Sequence, residues 1–208
     1  MKKILLSMAV VLSLSTPSFA EKLQDEAVDS LTTAQKLVKE ANYSKAVDEI
    51  NYALSKVNEL TAAGLVKYIP EPPAGFTLVN KQAQGVGAAA AIAGNAGATA
   101  EYASDSGASV NLNIAIGGMT GKMAGMAALG SLLAGMNQNA GSSEQSRQVR
   151  VQGYTGTEIF DTAGKTGTLS FQLGEKTSVT LEGSNIDSPD VLMQFVKNID
   201  LAGLEKNF

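Results

Sequence analysis

Glu158 and Asp161 are the side chains that most suggest hydrolytic chemistry, because two carboxylates can divide general-acid and general-base roles across one bond. The solubility of an acidic strand edge accounts for them better. Asn185-Ile186-Asp187-Ser188-Pro189-Asp190 has the oxygen density of a calcium loop but lacks its ligand spacing, central glycine and terminal glutamate, so helix capping is the better reading. Gly85-Val86-Gly87-Ala88-Ala89-Ala90 matches a dinucleotide fingerprint only in its glycines, without the strand-turn-helix setting that brings backbone to a pyrophosphate. Gly164-Lys165-Thr166 and Gly121-Lys122-Met123 end like phosphate loops, yet Ile159 and Ile116 stand where the first glycine must be. Histidine and cysteine are both absent, which removes zinc, copper and haem ligation and every Ser-His or Cys-His nucleophile. No Ser-x-x-Lys occurs, so the histidine-free serine hydrolase arrangement is missing too. No cofactor and no metal are expected.

One stretch combines small residues with adaptable apolar ones. Lys122 to Met136 reads as a helix in which Met119, Met123, Met126, Leu129, Leu133 and Met136 form a soft apolar surface, with Gly117, Gly121 and Gly125 at four-residue intervals allowing close approach. Such a surface suits a lipid, a peptide or a partner helix, but a helix covering a sheet explains it more simply. Its uncharged run is too short for a membrane span, and no transmembrane segment is expected beyond the leader.

The elements that position these residues follow from periodicity. Leu23, Ala27, Leu31, Ala34 and Val38 fall at helical spacing, as do Val47, Ile50, Leu54 and Val57. Between them Asn42 can close one helix and Ser44 can cap the next, which predicts a helical hairpin over 21–63. Leu31, Val38, Ile50 and Leu54 are its candidate partner-facing residues. A proline-rich hinge over 64–75 follows, centred on Ile69-Pro70-Glu71-Pro72-Pro73-Ala74-Gly75.

Beyond it the period becomes two. Val110, Leu112, Ile114 and Ile116 form one strand with a buried face, and Val149/Val151, Leu169/Phe171/Leu173 and Val179/Leu181 form others. Turns at Ala163-Gly164-Lys165 and Gly174-Glu175-Lys176 read as hairpins, and Phe76 to Val79 and Thr99 to Tyr102 as shorter strands. Ser188-Pro189-Asp190 opens a last helix placing Leu192, Phe195, Val196 and Ile199 on one face. Residues 76–208 are therefore an α+β domain: an antiparallel β-sheet with two main flanking helices, preceded by the N-terminal hairpin.

The first twenty residues give an address. Lys2 and Lys3, the apolar run Ile4 to Leu14 and Ser18-Phe19-Ala20 read as a secretory signal peptide over 1–20, cleaved after Ala20. Loss of Lys2 and Lys3 leaves 14 basic against 20 acidic residues, a net charge of −6 that disfavours nucleic acid. A cysteine-free chain can carry neither disulfides nor a lipidated cysteine.

Two resemblances accompany this reading. Ala34 to Ala46, continuing to Ala53-Leu54, looks like a single tetratricopeptide-type unit, a repeat that usually stacks in at least three copies. Pro70-Glu71-Pro72-Pro73-Ala74-Gly75-Phe76-Thr77, Gly107-Ala108-Ser109-Val110, Val151-Gln152-Gly153-Tyr154, Val179-Thr180-Leu181-Glu182-Gly183 and Ile199-Asp200 resemble uncharacterised exported proteins of Gram-negative bacteria. That resemblance implies a PsbP-like fold class, whose members mostly bind or help assemble other proteins. The resulting expectation is a periplasmic, non-catalytic accessory or binding protein engaging a cell-envelope protein. A carrier of a small apolar ligand or lipid and a carboxylate-dependent hydrolase stand as alternatives.

Overall fold

The computed structural model describes residues 18–84, 96–117 and 144–208. Two helices come first, α1 (Phe19–Lys39) and α2 (Tyr43–Leu65). Ser18 opens α1 with a capping box: its hydroxyl accepts from the Glu21 amide, and the Glu21 carboxylate accepts from the Ser18 amide. At the corner the roles differ from the sequence expectation. Ala41 takes the left-handed conformation (φ 56°), Asn42 is the N-cap of α2 without a side-chain bond, and Ser44 already lies inside the helix. The reason is steric: the chain must reverse in three residues, and the left-handed position falls one residue before the amide that could have filled it.

Seven strands follow: β1 (Phe76–Gln84), β2 (Ala96–Ser104), β3 (Ser109–Ile116), β4 (Glu144–Val151), β5 (Tyr154–Asp161), β6 (Thr166–Leu173) and β7 (Thr177–Ser184). They form one antiparallel sheet in the order β1-β2-β3-β7-β6-β5-β4. β1 and β2 are longer than the alternation at Phe76 and Thr99 predicts, and β2 begins within the Ala/Gly stretch, at Ala96. Two short helices end the chain, α3 (Asp190–Lys197) and α4 (Leu201–Asn207). The single final helix expected from the spacing is thus broken at Asn198–Asp200, where Asp200 caps α4 by accepting from the Gly203 amide. Ser188 still serves α3, accepting from the Asp190 amide at 3.1 Å. The fold is α+β, with these two helices on the sheet; the expected helix from Lys122 to Met136 lies outside the described residues.

Pairing puts every directly opposed residue on the same face. One row reads Arg147, Glu158, Leu169, Leu181, Leu112, Ala100, Lys81 from edge to edge, so this face is apolar at its centre and charged at its margins. The neighbouring row on the other face reads Gln148, Thr157, Ser170, Thr180, Asn113, Thr99, Gln82. The apolar face is covered by the end of α2 through Ala62 and Leu65, and by Leu192, Phe195, Val196, Ile199, Leu201 and Leu204 of the C-terminal segment. Phe195 sits 4.7 Å from the Tyr102 ring and 5.2 Å from that of Phe76. Gln152, left-handed at the β4–β5 turn (φ 53°), donates from its amide to the carbonyls of Lys197 and Ile199 and accepts from the Leu201 amide.

The proline segment is anchored at its start. Ile69 and Pro70 are buried, and the Tyr102 hydroxyl donates to the Pro70 carbonyl at 2.7 Å.

Candidate functional site

Each helix of the hairpin carries two stripes. In α1 the seam with α2 is Leu23, Ala27, Ser30 and Ala34, all buried; in α2 it is Ala46 and Ala53. Alanines let the two backbones close together and leave little for larger side chains to fill. The larger apolar residues are therefore displaced to one flank. On α1 these are Val28, Leu31 and Val38, with Gln35 completing a 3-4-3 spacing; on α2 they are Val47, Ile50, Leu54 and Val57 at the same spacing. Tyr43 adds an exposed ring one turn before Val47.

The result is an exposed apolar surface. Leu31, Val38, Ile50 and Leu54 are 50%, 48%, 45% and 39% exposed, although each belongs to a residue type that folding normally hides. Leu31, Ala34, Gln35, Val38, Lys39 and Ile50 line a groove of about 370 Å³ along this flank. Three of the four residues singled out from the sequence thus meet in one groove, and Leu54 lies one turn beyond Ile50 on the same stripe. Sequence spacing had put Leu31 and Val38 on one face with Leu23, Ala27 and Ala34; the structure divides them, the smaller residues closing the seam and the larger ones facing out. Lys39 and Gln35 were not anticipated, because nothing in their types marks a groove wall.

The opposite flank of the hairpin is polar and stapled. The Glu26 carboxylate accepts from the Tyr52 hydroxyl at 3.2 Å and lies 3.4 Å from the Lys56 ammonium, which also pairs with Glu59 at 3.3 Å. Lys56 sits 5.1 Å above the Tyr52 ring. Desolvation, the largest single influence on Lys56, lowers its pKa, but Glu59 and Glu26 together outweigh it and raise the ammonium above its ordinary value. The two contacts to Glu26 tie α2 to α1 on the polar side, opposite the apolar flank.

The carboxylate pair considered above does not come together. Glu158 points into the helix-covered face and is buried, whereas Asp161, an odd number of residues away on the same strand, belongs to the other face and accepts from the Ala163 amide at 3.0 Å. Glu158 is not a solubilising edge residue either. It lies one strand in from the edge, and both of its oxygens accept from the Arg147 guanidinium, at 2.6 and 3.3 Å. A second recess, of about 190 Å³, lies over β5 to β7 between Asp161, Thr166, Thr168, Glu182 and Ser184, and among the described residues no group of three acids could hold a metal ion. Met119, Met123, Met126, Leu129, Leu133 and Met136 lie outside the described residues. Among those described, no helix is long and apolar enough to cross a membrane.

Comparison of the chain with protein-family models, with characterised proteins and with solved structures gives no match.

Proposed function

We propose that this chain is an exported, non-catalytic binding protein of the bacterial periplasm, which engages a cell-envelope protein through the apolar flank of its N-terminal hairpin. The observation that carries the reading is the contiguous exposure of Leu31, Val38, Ile50 and Leu54 beside a groove of about 370 Å³. An exposed apolar patch of this kind marks an interaction site, because leaving it in water forfeits about 25 cal/mol for each Å² that a partner would cover. The leader-like first twenty residues support the compartment, and the resemblance to exported proteins agrees with it. The hydrolase alternative loses the pair of acids it was built on, and the Met-rich stretch on which the carrier rests lies outside the described residues.

The test is site-specific photo-crosslinking in living cells from position 35, whose side chain lines the groove without supplying its apolar contacts. A discrete adduct with one envelope protein, abolished by Leu31→Glu with Ile50→Glu and retained in Tyr52→Phe on the opposite flank, is the expected result. Adducts equally strong in all three proteins would sink the proposal. The same cells supply the address: mass measurement of the periplasmic protein should give a chain beginning at Glu21.

A further inference from the structure

We infer that, when no other partner is bound, the apolar flank of the hairpin is closed by the same flank of a second copy of this chain, forming an antiparallel four-helix bundle. The inference shares its surface with the proposed function and adds a self-occupied resting state to it.

The spacing selects a helical occupant. Val28, Leu31, Gln35 and Val38 repeat at intervals of three, four and three residues, and so do Val47, Ile50, Leu54 and Val57. That is the a/d spacing at which side chains of one helix enter holes on another, distinct from the seam that already joins α1 to α2. Both helices carry such a stripe side by side, so one docked helix would fill the central groove and leave the outer halves of both stripes wet. A pair of helices covers both, and this chain displays one such pair with matching stripes. A two-fold axis lying in the plane of contact sets the same flank of a second copy face to face with the first, as an isologous interface requires.

Charge permits the same arrangement. The chain is acidic, with 20 acidic against 16 basic residues, yet no carboxylate lines the groove and Lys39 is its one charged wall. The acids of the stapled network, Glu26 and Glu59, stand on the far flank. Two copies therefore meet with no carboxylate of one groove opposed to a carboxylate of the other. Gln35, the one polar residue in the α1 stripe, would fix register by its amide, the role a single polar residue plays in a bundle core.

Size places the dimer in the reversible range. The α2 stripe from Tyr43 to Val57 is about 21 Å long at 1.5 Å per residue, and two helices side by side are about 20 Å wide. The projected face is about 400 Å², and interdigitating side chains bring the surface removed from water toward the roughly 600 Å² per partner at the lower limit of specific interfaces. Such a pair forms and dissociates readily, which lets another helical surface displace it.

Sedimentation of the full chain over a range of concentrations tests the inference. The wild type should pass from monomer to dimer with increasing concentration. Leu31→Glu with Ile50→Glu, and separately Leu31→Lys with Ile50→Lys, should each weaken self-association by at least about tenfold per charge buried, with unchanged far-ultraviolet circular dichroism because both positions are exposed. Mixing the two variants should restore dimers through opposite charges. A wild type that stays monomeric at every concentration, or a dimer that persists in either variant, overturns the inference. The two readings fail separately: a monomer that still yields the envelope adduct from position 35 removes only the second copy, and a dimer that never yields one removes only the envelope partner.

Discussion

The Arg147 guanidinium reaches inward from edge strand β4 and donates to both carboxylate oxygens of Glu158, at 2.6 and 3.3 Å, on the face of the sheet that the helices cover. Glu158 is buried while Arg147 remains more than half exposed, so the pair closes the end of an otherwise apolar row. The carboxylate bonds, and next its charge, raise the pKa of a guanidinium that is cationic in any case.

Removing one partner leaves the other uncompensated, whereas removing both leaves a hydrocarbon surface. Arg147→Met should therefore destabilise the protein more than the double replacement Arg147→Met with Glu158→Leu. Urea denaturation of the three proteins gives the order, and a double variant less stable than the single would refute the account.

Tyr102 offers a test by pH. Its side chain is buried, and desolvation, reinforced by the Glu71 carboxylate, raises its phenol pKa well above the ordinary value of 10.0. The folded state thus keeps a proton that the unfolded state releases above about pH 10, and its stabilising contribution is complete below that pH and is lost as pH rises beyond it. Tyr154, whose hydroxyl donates to Glu205 at 2.6 Å, is shifted the same way and adds to the loss. Tyr102→Phe should cost about 1–3 kcal/mol at pH 7, by leaving the Pro70 carbonyl without its donor, and should flatten the alkaline fall of stability. Denaturation midpoints at pH 7, 9 and 10.5 check both.

The seam of the hairpin predicts that volume is the sensitive quantity. Ala34 and Ala53 are 3% and 1% exposed, and Leu at either position must push the helices apart, at a cost of about 1–3 kcal/mol. The change should also broaden the groove between Leu31 and Ile50. Thermal melts report the first effect, and loss of the position-35 adduct in a still-folded protein reports the second.

Gly156 on β5 has no room for a side chain. A Cβ there would stand 2.6 Å from Phe171 Cε1 and 2.7 Å from the Ser170 carbonyl oxygen, and that oxygen belongs to the backbone and cannot swing aside. Gly156→Ala should lower stability by more than about 1 kcal/mol, although alanine is ordinarily the better strand residue. Calorimetry decides it, and an unchanged melting temperature would contradict the close packing of β5 on β6.

Legibility followed contrast between neighbouring residues. β3, β6 and β7 alternate large apolar with polar side chains, and their buried faces are visible in the sequence at Val110, Leu112, Ile114, Leu169, Phe171, Val179 and Leu181. β2 buries Ala96, Ala98 and Ala100, whose small side chains give no such contrast, so only its Tyr102 end was readable. The first half of β4, an edge strand exposed on both faces, carries Gln145, Ser146, Arg147 and Gln148 with no period at all. Ile199 keeps helical spacing with Phe195 and Val196 because all three enter one core, which hid the break between α3 and α4. The burial of Glu158 depends on an arginine eleven residues away and could not be read locally. For the candidate site, spacing placed Leu31, Val38, Ile50 and Leu54 on helix faces, but whether a stripe is covered is a property of its neighbours, and the alanines that decide it look uninformative in isolation.

α2 belongs to two structures at once. Its first part pairs with α1, and its last turns, at Ala62 and Leu65, are part of the sheet's core, with no proline or left-handed residue between. The anchored proline segment comes only after that junction and so cannot act as a pivot for the hairpin. A load applied at Ile50 or Leu54 therefore travels about 17 to 23 Å along the helix and arrives as torque on Leu65. The hairpin is thus a lever whose inner end, at Ala62 and Leu65, is built into the core of the sheet.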